Sequence, residues 1–296
     1  MTTAFTGPHG AARTKPRHAD ITSGAVCASR SCRSSPVVLV GRSGRRVVAI
    51  EINQTFLDQG MARLRASLDK AVSRGKLTDT ARDEILARIR PTDDIPAGVA
   101  GADLLIEAIP ERMELKRTLF DQLDEACRAD AILATNTSSL SITEIAGVTR
   151  YPPRVAGLHF FNPAPVMKLV EVISTVLTSP ETAETLALLS RDLRKTPVQV
   201  SDRAGFIVNA LLVPYLNHAV RLLETAQATR EDIDKAANVG LGLPMGPRSR
   251  SSSAWTRSLP GTGRDSSPRH SPTRSSTTRS GCSRTVMPVQ PTSTPR

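Results

Sequence analysis

The chain has 296 residues, enough for two ordinary domains, and its 39% apolar content permits a sizeable core. Its formal charge of +11 is concentrated at the ends. Residues 1–46 hold eight Lys/Arg against Asp20 and residues 247–296 hold nine Arg against Asp265, which leaves a mildly acidic middle. The ends offer Phe5 and Trp255 as their only aromatics, so a nucleic-acid groove, which interleaves basic side chains with stacking rings on a folded scaffold, is excluded as the leading reading. No apolar run approaches the length of a membrane span. Cys27, Cys32, Cys127 and Cys282 form no CxxC pair and have no His at ligand spacing, which reads as free thiols in a cytoplasmic protein without a metal. An Arg/Ser-rich, acid-poor start also resembles a transit peptide, the competing reading of residues 1–43.

In chain order, Val47 to Glu51 reads as a short buried strand. Leu57, Met61, Leu64, Leu68 and Val72 then recur at helical spacing and predict one apolar stripe ending near Gly75. Thr78-Asp79 caps a second helix running to about Ile89. Ala102 to Ile109 is a central strand, and Leu115, Leu119, Phe120, Leu123 and Cys127 line the helix after it. Ala131 to Thr135 is the next strand, and Ser141-Ile-Thr-Glu144 is a capping box. Strands follow at Val155 to His159 and Met167 to Ile173, then a helix opened by Ser179-Pro180 that closes before Pro197. From Phe206 a long apolar helix begins, with Pro214 inside it, and Thr229 caps another. Strands alternating with helices predict an α/β fold with a parallel sheet.

The chemistry concentrates in Gly157-Leu-His-Phe-Phe-Asn-Pro163, with Ser138 and Ser139 upstream, Glu171 twelve residues on and Asn209 beyond. A strand-end His can be a satisfied structural residue; a carboxylate on a neighbouring strand turns it into an oriented base. Glu51, at the end of the second strand, is placed to accept hydrogen bonds from ribose hydroxyls and to repel a 2′-phosphate, favouring NAD over NADP.

Asn136-Thr-Ser-Ser-Leu140, His159-Phe-Phe-Asn-Pro163 and Asp202-Arg-Ala-Gly-Phe-Ile-Val-Asn209, in this order and spacing, resemble the L-3-hydroxyacyl-CoA dehydrogenase family. The resemblance runs from about Gly44 to Pro247. It implies that His159 is the general base and Glu171 its orienting partner, that Ser138 and Asn209 bind the substrate's 3-oxygen, and that Ser138 helps hold the nicotinamide. It also implies that Asn162, Glu111 and Lys116 lie at the cofactor NAD, that an acyl-CoA is the substrate, and that the protein is a homodimer without nucleic-acid or membrane partners.

The chain departs from that pattern at both ends. No G-x-G-x-x-G precedes Gly44, and after Pro247 come 13 Ser, 8 Thr, 6 Pro and 9 Arg in 49 residues without Ile, Phe, Tyr or Lys. Arg, Ser, Pro and Thr without Lys is what GC-rich coding DNA yields out of frame, so frame-displaced ends are expected. The reading is therefore a Rossmann-like parallel sheet with an incomplete first βα unit, followed by a truncated all-α C-terminal domain. Its divisions are 1–43 atypical and disordered, 44–202 NAD-binding, 203–247 partial helical and 248–296 a disordered tail. The competing functional reading is an inactive remnant or a non-catalytic basic-tailed binding protein.

Overall fold

The computed structural model describes residues 21–28, 35–243 and 246. Two compact units divide it, residues 1–225 and 226–296. In the first, eight strands form one sheet: β1 (Ser23–Ala28), β2 (Arg46–Ile50), β3 (Ile89–Thr92), β4 (Leu104–Ala108), β5 (Ile132–Thr135), β6 (Val155–Phe160), β7 (Leu169–Ser174) and β8 (Thr196–Ser201). Their order is β3-β2-β1-β4-β5-β6-β7-β8, and every neighbouring pair is parallel except the antiparallel β6 and β7. The winding direction reverses between β1 and β4, the switch point outside which such sheets bind ligands.

Period-two alternation assigns the two faces of the sheet. In β4, Leu104 and Ile106 enter one core while Leu105 enters the other. The first core is closed by α1 (Ser35–Arg42), α2 (Gln54–Ser73), α3 (Asp79–Ala87) and α7 (Pro180–Asp192) through Val37 to Val40, Leu64, Leu68, Ile85, Leu186 and Leu189. The second is closed by α4 (Ile95–Val99), α5 (Met113–Ala126) and α6 (Ile142–Ala146) through Val99, Leu119, Phe120, Leu123, Ile142 and Ile145. Most expected caps are in place: Thr78 accepts from the Ala81 amide, Ser141 from Glu144 and Ser179 from Thr182. Gly157 is required by packing, because an added Cβ would lie 2.4 Å from Ile142 Cδ1 and 2.8 Å from Ile173 Cβ.

Residues 23–28 and 35–42, inside the segment 1–43 that was expected to be disordered, form β1 and α1 of the fold; the connection between them lies outside the described residues. Ser23 to Ala28 form the central strand, paired with β2 on one side and β4 on the other. Asp103 fastens its start: Oδ2 accepts from the Thr22 and Ser23 amides at 3.0 and 2.9 Å, and Oδ1 accepts from Arg128 at 2.8 Å. Val37 to Val40 lie within α1. Pro36 suits the first turn of a helix, and all four side chains are buried in the first core. Gly44, with φ +87°, turns the chain into β2. Residues 1–20, 29–34 and 247–296, where the frame-displaced reading mostly falls, lie outside the described residues.

Two further corrections concern strands and α5. The edge strands β3 and β8 were not expected, and each contains a proline, Pro91 and Pro197. In α5, Leu115 is 40% exposed and Lys116 takes the buried position beside Leu119, Phe120 and Leu123. The apolar helix expected from Phe206 is α8 (Val208–Glu224), with Pro214 within it. In the second unit α9 (Arg230–Lys235) is capped by Thr229 as expected and continues into a π-helical turn at Ala236–Gly240.

Candidate active site

Strand β6 pairs with β5 up to Thr135↔Gly157, so His159 projects past the last paired residue of β5. The returning β7 sets His159 directly opposite Glu171, a spacing at which cross-strand side chains meet. Imidazole Nδ1 lies 2.7 Å from Glu171 Oε2, with both residues buried. The other carboxylate oxygen, Oε1, accepts from the amides of Ile207 and Val208 at 3.0 and 2.9 Å. These are donors left over at the start of α8, where the helix dipole favours negative charge. No side-chain cap at Ile207 is found among the described residues. Glu171 therefore occupies the capping place itself and ties the base to the helix.

The chain reaches that helix start through Gly205 at φ +76° and Phe206 at φ +49°. A Cβ on Gly205 would come within 3.0 Å of the Ala210 amide nitrogen, so glycine is needed for both space and conformation. Phe206 and Phe161 place their rings 5.8 and 4.5 Å from the imidazole. With Nδ1–H donated to an ionised carboxylate, Nε2 is the nitrogen left to accept a proton, and the neighbouring carboxylate stabilises the imidazolium that results.

A second cluster is built around Glu111. Its Oε1 accepts from the Thr137 hydroxyl at 2.6 Å, from the Ser138 and Ser139 amides at 2.8 and 3.1 Å, and from both serine hydroxyls at 3.2 Å. Burial opposes its charge, but the Thr137 hydroxyl, Lys116 and the serine donors outweigh burial and hold the carboxyl below its ordinary range. Asn209 Nδ2 donates to the Ser138 carbonyl at 3.1 Å, so the first turn of α8 is fastened to both clusters. Asn136 Oδ1 accepts from the Phe160 amide at 2.8 Å and holds the loop after β5 to the end of β6.

The structure brings His159, Glu171, Ser138, Asn209 and Glu111 into one connected group. Asn162 lies exposed three residues beyond His159. Lys116 is placed differently from a direct cofactor ligand. Its ammonium is 1% exposed and donates to Glu107 Oε1 at 2.6 Å, with Glu111 3.5 Å away. Glu107, itself fully buried, also accepts from the Ile109 amide and the Thr135 hydroxyl, each at 2.6 Å. Lys116 thus acts on the site through Glu111. Thr137 and Glu107 were not singled out from sequence; a charged residue inside an apolar strand was the signal for Glu107.

At the β2 side, Glu51 follows the strand end and is 7% exposed. Burial pushes its carboxyl up to about 7, against the pull of Arg63 and the Ile52 amide. Glu51 follows β2 on one side of the switch point, and Glu111, Ser138 and Asn162 follow β4, β5 and β6 on the other. The connection between β1 and α1 reads Ser29-Arg-Ser-Cys-Arg-Ser34 and contains no glycine, so it lacks the residues that let a backbone approach a pyrophosphate. No His/Cys/Asp/Glu cluster fit for a metal is present among the described residues, where Cys127 is a free thiol pushed by burial up to about 11.

A doubly wound sheet with a His–carboxylate base beyond its switch point defines a dinucleotide-dependent dehydrogenase. Residues 34–203 match the 3-hydroxyacyl-CoA dehydrogenase NAD binding domain, and residues 205–252 match the C-terminal domain of the same family. The chain belongs to the 3-hydroxyacyl-CoA dehydrogenase family. It is 44% identical over 223 residues to a 3-hydroxybutyryl-CoA dehydrogenase of Clostridioides difficile, covering 75% of this chain and 79% of that one. It is likewise 44% identical over 210 residues to the human mitochondrial hydroxyacyl-coenzyme A dehydrogenase, covering 69% and 67%. The solved structure of Mycobacterium tuberculosis FadB2 superposes with a TM-score of 0.74 at 41% identity, covering 77% and 80%. No helix among the described residues is long and apolar enough to cross a membrane.

Proposed function

We propose that the protein interconverts (3S)-3-hydroxyacyl-CoA and 3-oxoacyl-CoA with NAD, on short acyl chains, as a cytoplasmic enzyme of fatty acid metabolism. The observation that carries this reading is the buried 2.7 Å contact between His159 and Glu171 at the carboxyl edge of the sheet. His159 Nε2 takes the proton of the substrate's 3-hydroxyl, and Glu171 stabilises the imidazolium. Ser138 and Asn209 hold the 3-oxygen, and Glu51 accepts from the adenosine ribose. Bound NAD supplies the hydride acceptor. The glycine-free β1–α1 connection weakens its hold, so the Michaelis constant for NADH is high and activity at micromolar NADH is low. At the start of α8 and along it, Ile207, Leu211, Val213, Val220 and Leu223 are exposed, Leu211 by 72%. A helix with so much uncovered apolar surface supports poor solubility of the isolated chain over a stable homodimer.

The test is reduction of acetoacetyl-CoA with NADH raised into the millimolar range. NADH consumption is expected with the thioester and not with free acetoacetate. His159→Gln should lower turnover by about 10²–10⁴-fold, the contribution of a positioned base. Equal use of the free acid, or turnover indifferent to the His159 substitution, would refute the assignment.

A further inference from the structure

The C-terminal ends of α1, α3 and α7 and the loop between β6 and β7 line a half-open cavity of about 560 Å³. Five cations line it: Arg42, Arg88, Lys168, Arg194 and Lys195. Glu84 and Asp192 are its acids, and both are engaged, Glu84 with Arg88 at 3.2 Å and Asp192 with Arg45 at 3.0 Å. Arg42, Lys168, Arg194 and Lys195 have no carboxylate partner among the described residues.

We propose that this cavity is a second anion site, built for a di- or polyphosphate and separate from the dehydrogenase centre. Helix ends explain part of the charge, because Arg42 and Arg88 sit where carbonyl dipoles favour cations. They do not explain Lys168, which is at no helix end. Arg194 occupies the turn after α7 at φ +58°, a left-handed position that helices usually give to glycine. The chain holds a guanidinium at the cavity rim in a conformation that disfavours any side chain. Lys195 is 92% buried, since its exposure is 8%. Its ammonium donates to the carbonyls of Ala164 and Met167, which leaves one of three N–H groups for a ligand. Burial, and then repulsion from Arg42, lower its pKa, as expected of cations gathered without an acid. An anion bound between them relieves that repulsion, and the arginine fork matches phosphate oxygens.

The cavity takes Leu39, Arg42 and Ser43 from the far end of α1. Eight helical residues put that end about 12 Å along the axis from the start of α1, the end of the helix that faces the carboxyl edge of β1. The two sites are therefore separable by mutation.

Titration calorimetry on the full chain with pyrophosphate, inorganic phosphate and citrate tests the proposal. Pyrophosphate should bind saturably, more tightly than phosphate or citrate, with affinity falling as salt rises. The double variant Lys168→Gln with Arg194→Asn should weaken it about tenfold. Both side chains are exposed, and Asn tolerates the left-handed turn, so the fold is kept. Absence of saturable binding, citrate binding as well as pyrophosphate, or a double variant that binds as the parent does would each overturn it.

Discussion

On the β5–β7 side of the sheet the buried polar groups answer one another. His159 meets Glu171, Glu171 takes two amides of α8, Asn209 reaches Ser138, and Glu111 gathers Thr137, Ser138 and Ser139. On the β1–β2 side, β1 is buried and fastened by Asp103, yet burial pushes the Glu51 carboxyl up to about 7 and the connection after β1 has no glycine. The difference separates what folds a dinucleotide-binding unit from what makes it bind. A central strand needs alternating apolar side chains and two neighbours, which Ala25 and Val26 satisfy. Pyrophosphate binding needs backbone amides brought close by residues without side chains, and apolar content cannot substitute for that.

The largest expected effect strikes the complete side. Glu171→Gln leaves an amide oxygen for the α8 donors but removes the charge that supports an imidazolium. Turnover at saturating NADH should fall by about 10²–10⁴-fold, with less change in the Michaelis constant for the thioester. A loss shared equally between binding and turnover would mean that Glu171 serves α8 alone.

Next comes the buried pair beneath Glu111. Lys116→Met removes the only salt-bridge partner of Glu107 among the described residues, leaving a buried carboxylate uncompensated at a cost of ~3–5 kcal/mol. Urea unfolding should show that loss, and Lys116→Met with Glu107→Gln should recover much of it. If the single variant unfolds as the parent does, the pair does not hold this edge together.

The comparison can also be inverted by repairing the weaker side. Ala28→Gly, Arg30→Gly and Arg33→Gly restore the triplet spacing between the end of β1 and the start of α1. Recovering two charge-assisted amide bonds to phosphate, at ~1.4 kcal/mol each, should tighten NADH about a hundredfold. Fluorescence titration measures it, and an unchanged affinity would place the deficit elsewhere.

What was legible in the sequence follows the same division. Apolar periodicity located β2, β4 to β7 and α2, α3, α5, α7 and α8, because each buries a regular stripe or run. It passed over β3 and β8 because Pro91 and Pro197 speak against central strands; both are edge strands, where a missing N–H is tolerated. It left Val37 to Val40 unassigned; this Val-rich run is helical where it packs on the sheet. The His159–Glu171 pairing was readable as a motif, but the capping of α8 by Glu171 was not. Thirty-six residues separate Glu171 from Ile207, and no local pattern links them. The burial of Lys116 depends on Glu107 in β4, a partner that no spacing along the helix announces.

The smallest effect is a pH dependence at Glu51. Burial raises its folded pKa from the model-peptide 4.5 to about 7. The unfolded chain therefore gives up this proton first, and between those values the folded state binds more protons. Stability from this group is complete below about pH 4.5 and declines as pH rises to about 7. The melting temperature should fall more over that interval for the parent than for Glu51→Gln. Ribose hydroxyls donate to the ionised carboxylate, so NADH binding expels the proton and its affinity should rise a few-fold between about pH 6 and 8. The variant should show a flat profile. A parent profile equally flat would mean that Glu51 is already ionised before the cofactor arrives, and the contrast between the two sides of the sheet would then rest on the missing glycines alone.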